Sequence, residues 1–110
     1  KVKGFTKKIK SFLSDYNPNE IAIYCPVRSL NLLSSIGINN CRLIDDNPDL
    51  YQKYLPALIN KIENFNSVLS NPPTVILIYS LTNGNKIMKK CRKHKELNNT
   101  HIIPISSFYE

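Results

Sequence analysis

Phe5, Ile9, Phe12, Leu13 and Tyr16 recur at helical spacing near the start of the chain, with lysines between them. That pattern predicts an amphipathic helix that buries one stripe and turns its charges to water. Asn17-Pro18-Asn19 stops it. Ile21 to Tyr24 is short and wholly apolar, as a strand buried on both faces requires. Ser29 to Ile36 carries Leu30, Leu32, Leu33 and Ile36 and ends at Gly37, which reads as a helix closed by a glycine C-cap. Cys41 to Ile44 predicts a second strand, ended by the polar turn Asp45-Asp46-Asn47-Pro48.

Residues 49–62 carry mixed signals. Tyr51, Tyr54, Leu55, Leu58 and Ile59 would make a helical face, but Pro56 interrupts it. An irregular segment leading into a short strand near Ile59 to Ile62 is expected. A helix over Asn64 to Leu69 follows, stopped by Asn71-Pro72-Pro73. Thr74 to Tyr79 is the strongest strand pattern, apolar and rich in β-branched residues. A helix capped by Asn83 or Asn85 then runs to about His94, and His101 to Ile105 makes a last strand.

Alternating strands and helices of this length imply a parallel sheet with right-handed crossovers. The expected fold class is α/β: a Rossmann-like three-layer domain with a small parallel sheet. The chain reads as one such domain, with 1–19 as a leading helix and 20–110 as the βα core. Ligands of such sheets bind beyond the carboxyl ends of the strands. This directs attention to Cys25 to Ser29, Asp45 to Asn47, and Ser80 to Asn83.

Composition narrows the class. With 42% hydrophobic and 21% charged residues, 110 residues can form one ordinary folded core. No apolar run is long enough for a membrane helix, so no membrane partner is expected. The three cysteines lack framework spacing, which points to reduced thiols and a cytoplasmic setting. Because the chain opens on Lys1 and not methionine, a fragment of a larger protein is expected. The net charge of +7 is concentrated on the first helix and on the helix after Asn83. Neither cluster is interleaved with aromatics, which favours a solvated basic face over a nucleic-acid footprint.

The candidate chemistry lies at the strand ends. Asp45 or Asp46, with Asp45 nearer the strand, stands where a nucleotide-binding fold meets a ribose or sugar hydroxyl. The same pair, with Asn47-Pro48, can equally serve to solvate and shape a turn. Arg28 and Ser29 open the helix after the first strand, where free N–H groups and a guanidinium suit an anion. Yet Tyr24-Cys25-Pro26-Val27-Arg28-Ser29 contains no glycine, and Pro26 removes a donor, so a pyrophosphate held in the usual way is not expected there. Cys91 and His94 have metal-ligand spacing but no second pair. The two histidines, His94 and His101, fall in no pattern from which a nucleophile–base triad can be drawn. A receiver-domain reading of the acidic turn fails, since no aspartate follows Asp49 to accept a phosphoryl group.

In order, Ile21-Ala22-Ile23-Tyr24, Val27-Arg28-Ser29, Gly37-Ile38, Asp46-Asn47-Pro48, Tyr54-Leu55-Pro56, Val75-Ile76-Leu77-Ile78 and Ile102-Ile103-Pro104 stand as motifs do in one family. The chain resembles the C-terminal domain of S-adenosylmethionine-dependent sugar C-methyltransferases. It departs from that family in its glycine-less loop, with Arg28 and Ser29 in place of lysine and glycine, and with Leu81 about where a tryptophan is usual. The resemblance implies a C-terminal domain that helps enclose a nucleotide-linked sugar through Arg28, Ser29, Asp45, Asp46 and Asn47. It also implies that S-adenosylmethionine is bound by a separate, upstream domain of the same chain. No catalytic, cofactor-binding or metal-binding residue is then expected within these 110 residues. Two other classes fit the layout: a non-catalytic interaction domain with a degenerate crevice, and the nucleotide-sugar-binding domain of a sugar acyltransferase.

Overall fold

The computed structural model describes residues 2–109. Five strands form one all-parallel sheet: β1 (Ile21–Tyr24), β2 (Arg42–Ile44), β3 (Ile62–Glu63), β4 (Val75–Ile78) and β5 (His101–Pro104). Their spatial order is β3-β2-β1-β4-β5, so the chain grows outward from β1 in one direction and then reverses to add β4 and β5 on the other side. The reversal makes a crevice between the ends of β1 and β4, the place where such sheets bind ligands.

The residues explain the layers. Every side chain of β1 and β4 is buried, because helices cover both faces of the sheet. Ile21, Ile23, Leu43 and Leu77 point to one side, where α1 (Val2–Leu13), α2 (Leu30–Ile36) and a 3₁₀ turn at Ile105–Phe108 close the core. Ala22, Tyr24, Ile44, Ile76 and Ile78 point to the other, against α3 (Phe65–Ser70), α4 (Gly84–Arg92) and a turn at Lys95–Leu97. The fold expected from the sequence is the fold observed.

The elements differ in detail where turns compete with periodicity. The third strand is not at Ile59 to Ile62 but at Ile62–Glu63, and Ile59 is 60% exposed. Gln52 and Ala57 adopt left-handed backbone, and Ile62 exchanges hydrogen bonds with residues 52 and 53, so the segment doubles back before it joins the sheet. Helix α4 stops at Arg92, and His94 begins a separate turn. Gly37 closes α2 at φ 77°, as expected of a left-handed cap. Beside β2, Arg42 makes a bidentate pair with Glu63 (2.9 and 2.7 Å) and donates to the Asn71 carbonyl, fastening the short edge strand.

Candidate functional site

Register builds the site. Tyr24 lies level with Ile44 on one side and Ile78 on the other, so β1, β2 and β4 end together. Each ladder runs one bond further: Cys25 donates to the Ile44 carbonyl, Tyr79 to that of Tyr24, and Asp45 to that of Glu63. Cys25, Asp45 and Tyr79 therefore leave the sheet at one level and around one point. A cleft of about 220 Å³ opens there.

From the β1 side the cleft is lined by Cys25, Val27 and Arg28, and from β2 by Asp45. Tyr79, Ser80, Thr82 and Asn83, which follow β4, form the opposite wall. The three segments singled out in the sequence thus meet in one place. Arg28 is exposed and enters no ion pair among the described residues, so its guanidinium is available to an anion. Asn83, which opens α4, lines the same cleft, and its side chain makes no capping bond.

Ser29 is placed differently from the expectation. It is fully buried, and its hydroxyl donates to the Pro26 carbonyl at 2.6 Å, so it holds the turn from within. The reason is local: Pro26–Ser29 winds into a 3₁₀ turn, which rolls Ser29 inward and leaves Val27 and Arg28 outside. Cys25 stands at φ 64° and ψ 57°, a left-handed conformation that normally falls to glycine. The backbone makes the sharp exit that a glycine loop would make, but a side chain is carried into the cleft. Burial, with the charges of Asp45 and Asp46 adding to it, pushes the Cys25 thiol up to about 11. At neutral pH it is a thiol, not a thiolate nucleophile.

The two adjacent aspartates have separate surroundings. Asp45 accepts one backbone N–H, from Asn47 at 2.9 Å on Oδ1, and keeps the rest of its acceptor capacity toward the cleft. Asp46 is engaged: the Tyr24 hydroxyl donates to Oδ1 at 2.6 Å, and Lys90 Nζ lies 3.0 Å from both oxygens. Lys90 also donates to the Tyr24 oxygen at 2.9 Å and sits 4.3 Å over the Phe65 ring. Burial first, then the Asp46 hydrogen bond and charge, raise the Tyr24 phenol far above its ordinary range, so it stays a donor. Asn47 accepts from Asp49 N–H at 3.0 Å and shapes the turn. With Asp45, Asp46, Tyr51, Asn64 and Phe65 it lines a second cleft of about 190 Å³ on the far side of Asp45.

Tyr24 and Lys90 are the site residues that sequence reasoning passed over. Tyr24 read as core and Lys90 as part of a solvated face. A signal was present, since a tyrosine ending an otherwise aliphatic buried strand must find a partner for its hydroxyl. Cys91 is buried in the core and His94 packs edge-on against Phe65 (5.2 Å between ring centres). Among the described residues, no three His, Cys, Asp or Glu side chains come together as metal ligands. Nor is any described helix long and apolar enough to cross a membrane.

The chemistry on offer is binding. An anion can meet Arg28 and the start of α4, and a hydroxyl can donate to Asp45. A cleft of about 220 Å³ is smaller than the roughly 300–1,000 Å³ that encloses a whole drug-sized ligand. No family model, no curated protein and no solved structure matches this chain.

Proposed function

We propose that this domain encloses a nucleotide-linked sugar, as the C-terminal, substrate-side half of an S-adenosylmethionine-dependent methyltransferase. The observation that carries the reading is the meeting of Arg28 and Asp45 in one cleft, at the point where the sheet reverses direction. A guanidinium suits a phosphate, and a carboxylate with free acceptor capacity suits a sugar hydroxyl. A phosphorylated sugar presents both groups, and Arg28 and Asp45 line one cleft. The Asp46-Asn47-Pro48 turn and Tyr54-Leu55-Pro56 support the methyltransferase assignment through their resemblance to that family.

On this reading the methyl donor belongs to a separate upstream domain, and the residues here bind and orient the acceptor. The cleft is open on its solvent side, as a half-site completed by a second domain should be. Three free cysteines fit a reducing, cytoplasmic setting.

A chemical-shift titration with uridine diphosphate glucose, uridine diphosphate and glucose tests the reading. Shifts centred on Arg28, Asp45 and Ser80 to Asn83, reduced by Asp45→Asn and by Arg28→Gln, are expected. Silence across the panel, even with a donor-binding domain supplied, overturns it. Silence would favour docking through α4 and the turn that follows it, where Lys86, Lys89, Arg92, Lys93 and Lys95 are exposed without ion-pair partners among the described residues.

A further inference from the structure

We infer that Lys90 is a positioning residue of the carboxyl-edge site: it neutralises Asp46 and ties it to Tyr24, leaving Asp45 as the carboxylate that meets a ligand and letting an anionic ligand approach. The inference rests on the ligand-binding reading of the cleft. Three carboxylates, Asp45, Asp46 and Asp49, leave the sheet within five residues after β2. Arg28 is the cation lining the adjoining cleft. Uncompensated, that acidic cluster would repel a diphosphate from the place where the rest of the geometry invites one.

Lys90, reaching in from α4, lowers the repulsion by one charge. Its ammonium is shared between both Asp46 oxygens and the Tyr24 hydroxyl, and its position over Phe65 adds a cation–π contact. Four elements meet on one side chain: α4, β1, the exit of β2, and α3. Asp46 then receives three hydrogen bonds from Tyr24 and Lys90, against one backbone bond for Asp45. The twin carboxylates are thereby sorted, one into the scaffold and one toward the cleft.

Stability does not account for the arrangement. The Lys90 and Asp46 side chains are 39% and 49% exposed, and ion pairs so open to water add little to folding. What such a pair does change is the net charge beside Asp45, and so the field at the cleft that Asp45 lines.

The test is a titration of uridine diphosphate glucose and of uridine into the wild type, Lys90→Met, Lys90→Arg, and the double variant Asp46→Asn/Lys90→Met. Thermal unfolding of each variant is recorded alongside. Lys90→Met is expected to weaken the diphosphate sugar by about tenfold, as one partly screened charge near a doubly charged diphosphate should, while leaving uridine unchanged. Removing the stranded charge with Asp46→Asn is expected to restore binding to within about threefold of wild type, because an amide can still accept from Tyr24. Lys90→Arg should bind as the wild type does. A merely structural lysine would show its loss and rescue in the unfolding temperature and leave the ratio of diphosphate-sugar to uridine affinity unmoved. Unchanged binding in Lys90→Met, or a folded double variant that stays weak, overturns the role of Lys90 alone. A wild type that binds neither probe removes the ligand site and this inference with it.

Discussion

Cys25 is the residue at which the backbone and the sequence pull in different directions, and replacing it measures the conflict. Its left-handed φ of 64° costs a residue with a Cβ about 1–2 kcal/mol. Cys25→Gly relieves that strain but returns about 0.5–1 kcal/mol through the freer unfolded chain. The half-buried thiol packs beside the core formed with Tyr24 and Ile78, and losing it costs about 0.5 kcal/mol more. Cys25→Gly is therefore expected to leave stability near that of the wild type. Cys25→Ala loses the thiol and keeps the strain, so it should fall below the glycine variant by about 1 kcal/mol, or roughly 4–8 °C in Tm. Cys25→Val, branched at Cβ, should fall further still. Urea unfolding with thermal melts gives the order directly. An alanine variant as stable as the glycine variant would refute the claim that the left-handed turn is strained.

Four further outcomes follow from particular contacts. Ser29→Ala should cost about 1 kcal/mol by removing the buried hydroxyl's bond to the Pro26 carbonyl, while ligand titrations stay unchanged. Gly37→Ala should cost about 1 kcal/mol in a urea melt, from the left-handed cap alone, because no atom lies within 4 Å of the added Cβ. Burial pushes the Glu63 carboxyl up, but hydrogen bonds from Arg42 and Ser67 and the Arg42 charge outweigh it and hold the carboxyl below its ordinary value. Its contribution is then full above the unfolded-state pKa and is lost as pH falls through the lower folded value; Glu63→Gln should flatten that acid limb in a stability–pH series. Arg28→Gln should weaken a phosphate-bearing ligand more than its dephosphorylated counterpart, and equal effects would remove the phosphate role.

The sheet was legible because its strands are buried on both faces. Ile21 to Tyr24 and Val75 to Ile78 are continuous apolar runs bounded by turn residues, and nothing else in the chain competes for those positions. The edge strand was placed too early, because Ile59 reads as strand by type while the left-handed Ala57 and the doubling back at Gln52 decide where pairing starts. Site positions were legible as strand ends, while side-chain roles were not. Ser29 and Arg28 look equally eligible in sequence, and only the tightness of a 3₁₀ turn sorts one inside and the other out. Asp45 and Asp46 are told apart by Lys90, 44 residues from Asp46, and no local pattern encodes a contact of that range.

The loop without glycine follows from the same geometry. A glycine-rich turn after β1 lets a pyrophosphate lie against the backbone of the first helix. Here the turn keeps the required left-handed step but places a thiol there, and Pro26 takes away an N–H. An anion excluded from that turn still finds Arg28 on the same wall of the cleft and, across from it, the β4 exit, where α4 begins without a side-chain cap. On the proposed reading, the anion subsite has moved off the turn backbone into the cleft, between Arg28 and the β4 exit, while Asp45 remains at the end of β2. Cys25→Gly discriminates this from a cleft that has lost its ligand. If the thiol only displaces the anion, reopening the turn should tighten uridine diphosphate relative to uridine without weakening the contribution of Arg28. If the cleft binds nothing, glycine changes the stability order and leaves both ligands silent.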